Sequence, residues 1–208
     1  MGGWYRKEVK TVADLKGMKF RVGGVAGVIL SRLDVVPQQI AAGDIYPSLE
    51  KGTIDAAEWV GPYDDEKLGF VKVAKYYYTP GWWEPNSQNS MFVNLKAWEA
   101  LPKEYQAAFQ VACGESNAVS MARYDHLNPT ALKSLISKGA QLRRFPDAVL
   151  DACFKASNDQ YAEWSEKHPE FKTMYESYNK YLKSQVDWFQ VVEGTHDNYL
   201  ARKLRGRG

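Results

Sequence analysis

The sequence predicts an α/β fold, with a mixed, mostly parallel sheet, covering helices and a long C-terminal helix. Residues 18–80 alternate extended apolar segments with helical segments, which is the pattern of parallel strands joined by crossover helices. Residues 96–125 form one long helical segment, and residues 170–192 carry apolar side chains at spacings of three and four. The first observation predicts the sheet, and the other two predict long helices in the second half of the chain.

Glycine and proline bound the predicted strands. A glycine pair ends the first strand, and Pro37 marks the second as an edge strand or a bend. The pair Gly61-Pro62 ends the third. The predicted strands are residues 18–24, 35–40, 53–60, 75–80, 90–95 and 140–145.

Capping residues and breaks bound the predicted helices. Asp44 caps a helix that Gly52 stops, and the break at Leu101-Pro102 lies in the opening of the longest helix. The predicted helices are residues 25–33, 44–51, 62–73, 96–125, 127–138, 147–167 and 170–192.

Composition narrows the function classes. The length of 208 residues fits one to two domains. The composition, with 45% hydrophobic and 25% charged residues, excludes a disordered chain, a collagen or a low-complexity polymer. The longest apolar run, residues 23–30, is far shorter than the roughly 20 residues of a membrane-spanning helix. With 27 basic and 25 acidic residues, net charge +2, nucleic acid is not expected as a partner.

Aromatic residues make up 13% of the chain, which predicts an aromatic core, an aromatic ligand cleft or an aromatic interface. Cys113 and Cys153 form no metal-binding pattern and are predicted to be small core or groove residues, with a disulfide between them left open.

The apolar stripe near the C-terminus has two interpretations. It either docks on another subunit or closes this chain's own core. Its members are Phe171, Met174, Tyr175, Tyr178, Tyr181, Leu182, Val186 and Phe189. The tail that follows, with Arg202, Lys203, Arg205 and Arg207, is predicted to be a frayed basic end rather than an anion site.

Motifs of the common enzyme classes are absent from the sequence. It contains no GxGxxG, P-loop, GxSxG, HExxH or EF-hand pattern. The three histidines, His126, His168 and His196, stand far apart and have no local nucleophile signature. A hydrolase triad is therefore not expected.

Arg21 lies inside an apolar strand, directly before Gly23-Gly24. A guanidinium there needs a carboxylate or a solvent cleft, and the glycines let a ligand approach the backbone. Arg21 can hold a carboxylate through two parallel hydrogen bonds, although a surface ion pair is the plainer alternative.

Two glutamates stand where an α/β protein gathers ligands. Glu58 ends a predicted strand, and ligands of open α/β sheets bind outside the carboxyl ends of the strands. Glu84 lies within an aromatic segment, residues 76–85, that is typical of a small-ligand wall. Two carboxylates with backbone carbonyls make an oxygen-only site that suits a hard cation. A structural salt bridge is the alternative for Glu58.

Three segments, taken in order, resemble the DctP-like solute-binding proteins of tripartite ATP-independent periplasmic (TRAP) transporters, in particular the branch that binds 2-oxo acids and related monocarboxylates such as lactate. They are LKGMKFRVGG at 15–24, GDIYPSLEKGTIDAAEWVGPYDD at 43–65 and AKYYYTPGWWEPNS at 74–87. The helix opening LPKEYQAAFQVA at 101–112 also fits. The resemblance covers nearly the whole chain and implies a type II periplasmic-binding-protein-like two-lobe fold, present in part.

The resemblance also implies roles for single residues. Arg21 matches the family's strand arginine, which pairs with the ligand carboxylate. Glu58, the main-chain carbonyl of Trp59, and Glu84 match positions that hold a metal cation, sodium or calcium, bridging protein and ligand. Arg21, Glu58, Trp59 and Glu84 are therefore the expected ligand-binding residues, and no catalytic residue is expected.

The start of the chain departs from the family pattern, in which a lobe of over a hundred residues precedes this point. We expect Met1 to be an internal methionine, the chain to be a C-terminal fragment, and a further polar metal ligand to lie upstream. The expected division is a hinge or first-lobe remnant at 1–17, second lobe at 18–86 and 127–163, a return segment to the first lobe at 87–126, and a C-terminal helical extension at 164–208. The return segment is expected to expose apolar side chains, namely Met91, Val93, Trp98, Phe109 and Val111.

The expected function is capture of a small organic monocarboxylate in the periplasm and its delivery to the TRAP membrane permease, without covalent chemistry. A homodimer through the C-terminal helix is expected. A lyase or hydrolase that uses Glu58 or Glu84 as a base is one alternative, and an interaction protein that uses the aromatic helix is another.

Overall fold

A computed structural model of the chain describes residues 1–84, 87 and 89–205. The chain divides into two compact units, Met1–Ala156 and Ser157–Gly208.

The first unit is built on a six-stranded sheet with the order β3-β2-β4-β1-β5-β6. The β2–β3, β2–β4 and β5–β6 pairs are parallel, whereas β1 is antiparallel to both of its neighbours. The predicted mixed, mostly parallel sheet is therefore confirmed. The strands are β1 Trp4–Tyr5, β2 Lys19–Arg21, β3 Val36–Gln38, β4 Ala56–Ala57, β5 Tyr76–Thr79 and β6 Gln141–Arg144.

Helices alternate with the strands as predicted over residues 18–80. Gly52 adopts the left-handed conformation that ends α2, as expected. Short 3-10 turns lie at Val12–Leu15 and Phe70–Lys72. The helices are α1 Gly24–Ser31, α2 Ala42–Lys51, α3 Pro62–Leu68, α4 Leu95–Ala100, α5 Lys103–Ser137, α6 Asp147–Lys167, α7 Pro169–Phe189 and α8 Thr195–Arg205.

The sequence analysis assigns no strand to residues 1–17, and the structure corrects this. Trp4 pairs with Ala57 of β4 and Tyr77 of β5, so β1 lies in the interior of the sheet. Trp4 and Tyr5 are both buried. A two-residue strand has no periodicity to detect, so only its partners reveal it.

Aromatic side chains contribute to both hydrophobic clusters of the first unit, as one of the composition's alternatives predicts. Tyr5, Phe20 and Tyr78 belong to one cluster, and Trp4 and Tyr77 to the other. Neighbouring residues of one strand fall in different clusters because successive side chains of a strand point to opposite faces. The two clusters therefore cover the two faces of the sheet.

The predicted strand at residues 90–95 is wrong. Residues 90–94 have no regular structure, and α4 begins at Leu95 with the Asn94 side chain accepting a hydrogen bond from the Ala97 amide. A strand exists by pairing, and the described residues offer 90–95 no neighbouring strand.

Apolar side chains around α4 and the first half of α5 are largely exposed, as expected for residues 87–126. Met91 is 70% and Val111 is 69% exposed, and Val93 is also exposed. Trp98 and Phe109 are half-buried against each other, with ring centroids 5.8 Å apart.

The helices predicted at 96–125 and 127–138 are divided differently in the structure. The break falls at Leu101-Pro102, and α5 then continues through Pro129 to Ser137. Tyr124 and Asn128 hold this part of α5 against α3, through the Asp64 carboxylate and the Tyr63 amide. Such tertiary contacts offset the hydrogen bond that a helical proline removes.

In the second unit, two members of the α7 stripe are packed and the other six are exposed. Phe171 and Tyr175 form an aromatic cluster with Tyr161 and Trp164, with ring centroids 5.1–6.3 Å apart. The exposed members are Met174, Tyr178, Tyr181, Leu182, Val186 and Phe189.

The basic tail is helical rather than frayed up to the end of α8 at Arg205. Good helix formers extend it, and the Lys203 ammonium lies 5.7 Å from the centroid of the Tyr199 ring one turn earlier. The predictions for Arg207, and for Pro85 at the end of the aromatic segment, fall outside the described residues. No helix in the described part of the chain has the length and apolarity needed to cross a bilayer.

The two cysteines are not joined by a disulfide, and they differ in environment. Cys153 is buried as predicted, whereas Cys113 is exposed on α5, which corrects its assignment to the core. Burial raises the pKa of the Cys153 thiol to about 12, so its thiolate is scarce.

We therefore expect iodoacetamide at pH 8 to label Cys113 of the native protein at least roughly 100-fold faster than Cys153. Peptide mapping by mass spectrometry after timed labelling measures both rates. Unfolding in urea is the control, because it should make the two rates similar. Equal rates in the native protein would show that Cys153 is accessible.

Candidate functional site

Arg21, the last residue of β2, holds the loop that follows β4. Its Nη1 donates to the Glu58 carbonyl oxygen at 2.7 Å, and its Nε donates to the Ile40 carbonyl oxygen at 3.2 Å. The guanidinium carbon lies 5.0 Å from the centroid of the Trp59 ring. Arg21 Nη2 has no hydrogen-bond acceptor among the described residues, so it remains able to donate to a ligand.

Glu58 follows β4 directly, where its amide donates to the Arg21 carbonyl oxygen at 3.0 Å. Its carboxylate lies 3.7 Å from Arg21 Nη1, and the two side chains are 16% and 20% exposed. Burial raises the pKa of Glu58 to about 7; the Arg21 charge opposes this, while the charges of Glu84 and Asp65 add to it. The attraction of Arg21 therefore does not offset the burial of this carboxylate.

Two pockets share the wall formed by Val22, Gly23 and Gly24. The larger, about 500 Å³, contains Arg21 and the segment Gln38, Gln39, Ile40 and Ala41. The smaller, about 230 Å³, contains Glu58 and Glu84 together with Val25, Ala26 and Trp83. The structure thus brings the predicted arginine and the two predicted glutamates to one continuous region.

Gly23 and Gly24 leave that shared wall open. No atom lies within 4 Å of where a Cβ would stand on either residue, and Gly24 has a positive φ of 58° that favours glycine. They form the N-terminal end of α1, whose first amides have no partner within the helix. A ligand can therefore approach the backbone here, as the sequence predicts.

Glu84 is exposed and lies near the smaller pocket's mouth beside Trp83. Ser87 Oγ donates to Glu84 Oε1 at 3.3 Å, and no basic side chain among the described residues pairs with this carboxylate. The Trp83 ring packs edge-on against Phe20 of β2, with centroids 5.9 Å apart. This contact ties the Glu84 segment to the strand that carries Arg21.

The donor set of the smaller pocket fits a hard cation. It holds two carboxylates, one of them with a raised pKa, and the nearby Arg21 is already bonded to two carbonyl oxygens. In the described part of the chain, no three His, Cys, Asp or Glu side chains form a metal-binding group. A third oxygen is expected from the Trp59 carbonyl, because Trp59 follows Glu58 directly.

Asp65, in the first turn of α3, is a residue that the sequence analysis missed. It is 1% exposed, and its Oδ2 accepts hydrogen bonds from Trp4 Nε1 at 3.0 Å and the Tyr77 hydroxyl at 2.6 Å. Its Oδ1 accepts from the Val60 amide at 3.2 Å. Burial raises its pKa, and these hydrogen bonds oppose that effect. In the sequence, nothing distinguishes it from its neighbour Asp64, which is half-buried.

Comparison with known proteins identifies relatives of one kind. The family model described as "Bacterial extracellular solute-binding protein, family 7" matches residues 1–168. A monocarboxylate 2-oxoacid-binding periplasmic protein of Nostoc is 46% identical over 201 residues, which are 97% of this chain and 55% of that protein. The chain thus spans about half the length of this curated relative.

Two solved structures extend the comparison. One is a TRAP transporter solute-binding protein of Bordetella bronchiseptica, described as a dimer with calcium and picolinate bound. It is 54% identical to this chain and has a TM-score of 0.94, and the match covers 100% of this chain and 62% of the Bordetella chain. The other is a TRAP periplasmic solute-binding protein of Pseudoalteromonas atlantica with sodium and pyruvate bound. It is 38% identical with a TM-score of 0.90, and the match covers 95% of this chain and 60% of the Pseudoalteromonas chain.

The raised pKa of Glu58 predicts a pH-dependent effect of Glu58→Gln on the cation-free protein. The folded state binds the proton more tightly than the unfolded chain, whose Glu titrates near 4.5, so this group's contribution to stability is lost as pH rises from about 4.5 to about 7. Urea unfolding in a chelator should therefore show that Glu58→Gln stabilises the protein more at pH 8 than at pH 5.

Glu99→Gln is the matched control, because Glu99 is an exposed carboxylate on α4. Its effect on the free energy of unfolding should not change between the two pH values. The same result for Glu58→Gln would contradict the raised pKa assigned to the Glu58 carboxylate.

Proposed function

The chain belongs to the bacterial extracellular solute-binding proteins of family 7, and we propose that it binds a small organic monocarboxylate for a TRAP transporter. The ligand class is 2-oxo acids such as pyruvate, or lactate-like hydroxy acids. The supporting observation is that Arg21 lines one pocket, that Glu58 and Glu84 line a second pocket, and that the two pockets share a wall. An anionic ligand and a cation would lie side by side in them.

Arg21 binds the ligand carboxylate in this proposal. Its guanidinium is held by two backbone carbonyls and the Trp59 ring, so little conformational freedom is lost on binding. Its Nη2 faces no acceptor in the described residues, which leaves a donor for the anion. Charge-assisted bonds of this kind are stronger than neutral ones.

Glu58, the Trp59 carbonyl and Glu84 bind a sodium or calcium ion in this proposal. Relatives carry one or the other of these ions, calcium with picolinate in one and sodium with pyruvate in another. A cation in the smaller pocket would offset the two carboxylates and the charge of the ligand. Hard cations take oxygen ligands, and all three of these donors are oxygens.

Delivery to the membrane permease completes the proposed role, with the periplasm as the place of action. Solute-binding proteins are transport components, and we propose that the site performs no covalent chemistry. A lyase or hydrolase would need a nucleophile or an activated water placed by a second group beside Glu58 or Glu84. The Glu58 carboxylate is instead paired with Arg21, a cation that cannot act as a nucleophile.

The proposed lobe division is that of the sequence analysis. Residues 18–86 and 127–163 form the second lobe, residues 87–126 return to the first lobe, and residues 1–17 lie at the hinge. The exposed apolar side chains of Met91 and Val111 support a further packing partner for the return segment. Residues 164–208 form the C-terminal extension.

We also propose a homodimer through α7. The Bordetella bronchiseptica relative is described as a dimer, and the α7 stripe exposes Met174, Tyr178 and Tyr181. Exposed aromatic side chains at helical spacing are suited to such an interface.

Arg21→Lys should weaken binding of pyruvate at least tenfold in the presence of calcium. Lysine keeps the positive charge but loses the planar donor pair and the two carbonyl contacts. Isothermal titration calorimetry on the protein measures the dissociation constant. Arg144→Lys is the matched control, since Arg144 pairs with Asp147 on the surface. Unchanged affinity in Arg21→Lys would refute the assignment, and product formation during the titration would favour the enzyme alternative.

Tyr178→Glu should shift the protein from dimer to monomer, because it buries a charge in the proposed interface. Light scattering after size-exclusion chromatography measures the mass. Lys180→Glu is the control, since it lies about 200° around the helix from Tyr178. If the Tyr178→Glu protein dimerises over the same range of protein concentration as the wild type, α7 is not the interface.

A further inference from the structure

The loop between β4 and α3 carries two of the three proposed cation ligands but has no regular hydrogen-bond ladder. Residues 58–61 belong to no helix or strand. Backbone carbonyls in such a loop can face several directions unless another group fixes their peptide planes. A carbonyl that binds a cation needs a fixed direction, because coordination distances are short.

Both peptide planes that flank Trp59 are fixed by side chains from other segments. The carbonyl oxygen of Glu58, in the first plane, accepts from Arg21 Nη1 at 2.7 Å. The amide of Val60, in the second plane, donates to Asp65 Oδ1 at 3.2 Å. That second plane also contains the Trp59 carbonyl. In a trans peptide the carbonyl and the amide point in opposite directions, so the Trp59 oxygen faces away from Asp65.

Asp65 is itself held from the other side. Trp4 Nε1 and the Tyr77 hydroxyl both donate to its Oδ2, and the Trp4 and Tyr77 rings stack with centroids 4.1 Å apart. Among the described residues, no Lys, Arg or His side chain forms an ion pair with this 1%-exposed carboxylate. Three donors converge on it, and an amide in its place would offer only one oxygen.

We propose that Asp65 is a positioning residue of the cation site, which aims the Trp59 carbonyl at the cation by holding the Val60 amide. This inference rests on the proposed function, because it takes the Trp59 carbonyl as a cation ligand. A purely structural alternative exists: Asp65 only stabilises the start of α3 and its contact with β1 and β5. The two differ in whether cation affinity falls in a variant that is fully folded.

The test uses calcium chloride alone, titrated into the protein in a calorimeter. In Asp65→Asn, the side chain has one oxygen, and its NH2 group must face at least one of the three donors. Trp4 Nε1 and the Tyr77 hydroxyl, which both donate to Oδ2 in the wild-type protein, compete with the Val60 amide for that oxygen. We expect the Val60 amide to lose its acceptor and calcium affinity to fall at least about tenfold, as for other groups that orient metal ligands. Tyr77→Phe is the matched control: it removes one donor to the same carboxylate but leaves the bond to Val60, so calcium affinity should stay at the wild-type value.

A triple variant, Trp4→Phe, Asp65→Leu and Tyr77→Phe, keeps the test valid if Asp65→Asn does not fold. Asp65→Leu and Tyr77→Phe replace polar groups by apolar side chains of similar size, which is often close to neutral for stability. Trp4→Phe removes the remaining side-chain donor and leaves a smaller ring, which costs some stability. We expect a folded protein with the same loss of calcium affinity. Wild-type affinity in this variant would overturn the proposal.

Hydrogen exchange of the Val60 amide gives a readout that needs no cation. The amide is observed in 15N-valine-labelled protein and assigned by its absence in Val60→Ile. We expect faster exchange in Asp65→Asn and wild-type exchange in Tyr77→Phe. Unchanged exchange in Asp65→Asn, or a loss of affinity in Tyr77→Phe that matches its loss of stability, would overturn the positioning role. A wild-type protein that binds no calcium would instead contradict the cation site of the proposed function.

Discussion

The pairing of β1 with β4 and β5 is the constraint on which the site depends. Because β1 is antiparallel to both, β4 and β5 run in the same direction, and their carboxyl ends meet at one edge of the sheet. Glu58 follows β4, the Glu84 segment follows β5, and Arg21 ends β2, which is parallel to β4. One short strand therefore places three segments, distant in sequence, around common pockets.

Charge balance explains why these pockets suit two ions of opposite sign. Arg21 is the basic side chain of the site, and it lies 3.7 Å from a carboxylate whose pKa is nevertheless raised to about 7 by burial. The exposed Glu84 adds negative charge near the same pocket. In the proposed function, a cation would relieve the repulsion between the glutamates, and a carboxylate ligand would then lie beside Arg21. Cation and ligand should accordingly bind cooperatively.

Polar contacts buried beneath the site link its geometry to the core of the first unit. Asp65 joins the Val60 amide above it to Trp4 and Tyr77 in the strands below. Such groups are costly to bury unless every donor and acceptor is paired, and this one is fully paired. The same aromatic residues that fill the core thus restrict the loop that carries Glu58 and Trp59.

Local periodicity and turn residues specify the alternation of strands and helices over residues 18–80, so this alternation could be predicted without the structure. Charged residues at strand ends and the motif resemblance also predicted Arg21, Glu58 and Glu84 as site residues. The remaining features depend on contacts between segments that are distant in sequence. β1 is too short to show a period, the predicted strand at 90–95 lacks a partner, and α5 passes Pro129 because Tyr124 and Asn128 anchor it to α3. Asp65 likewise gains its role from donors on strands that are distant in sequence, which no local pattern records.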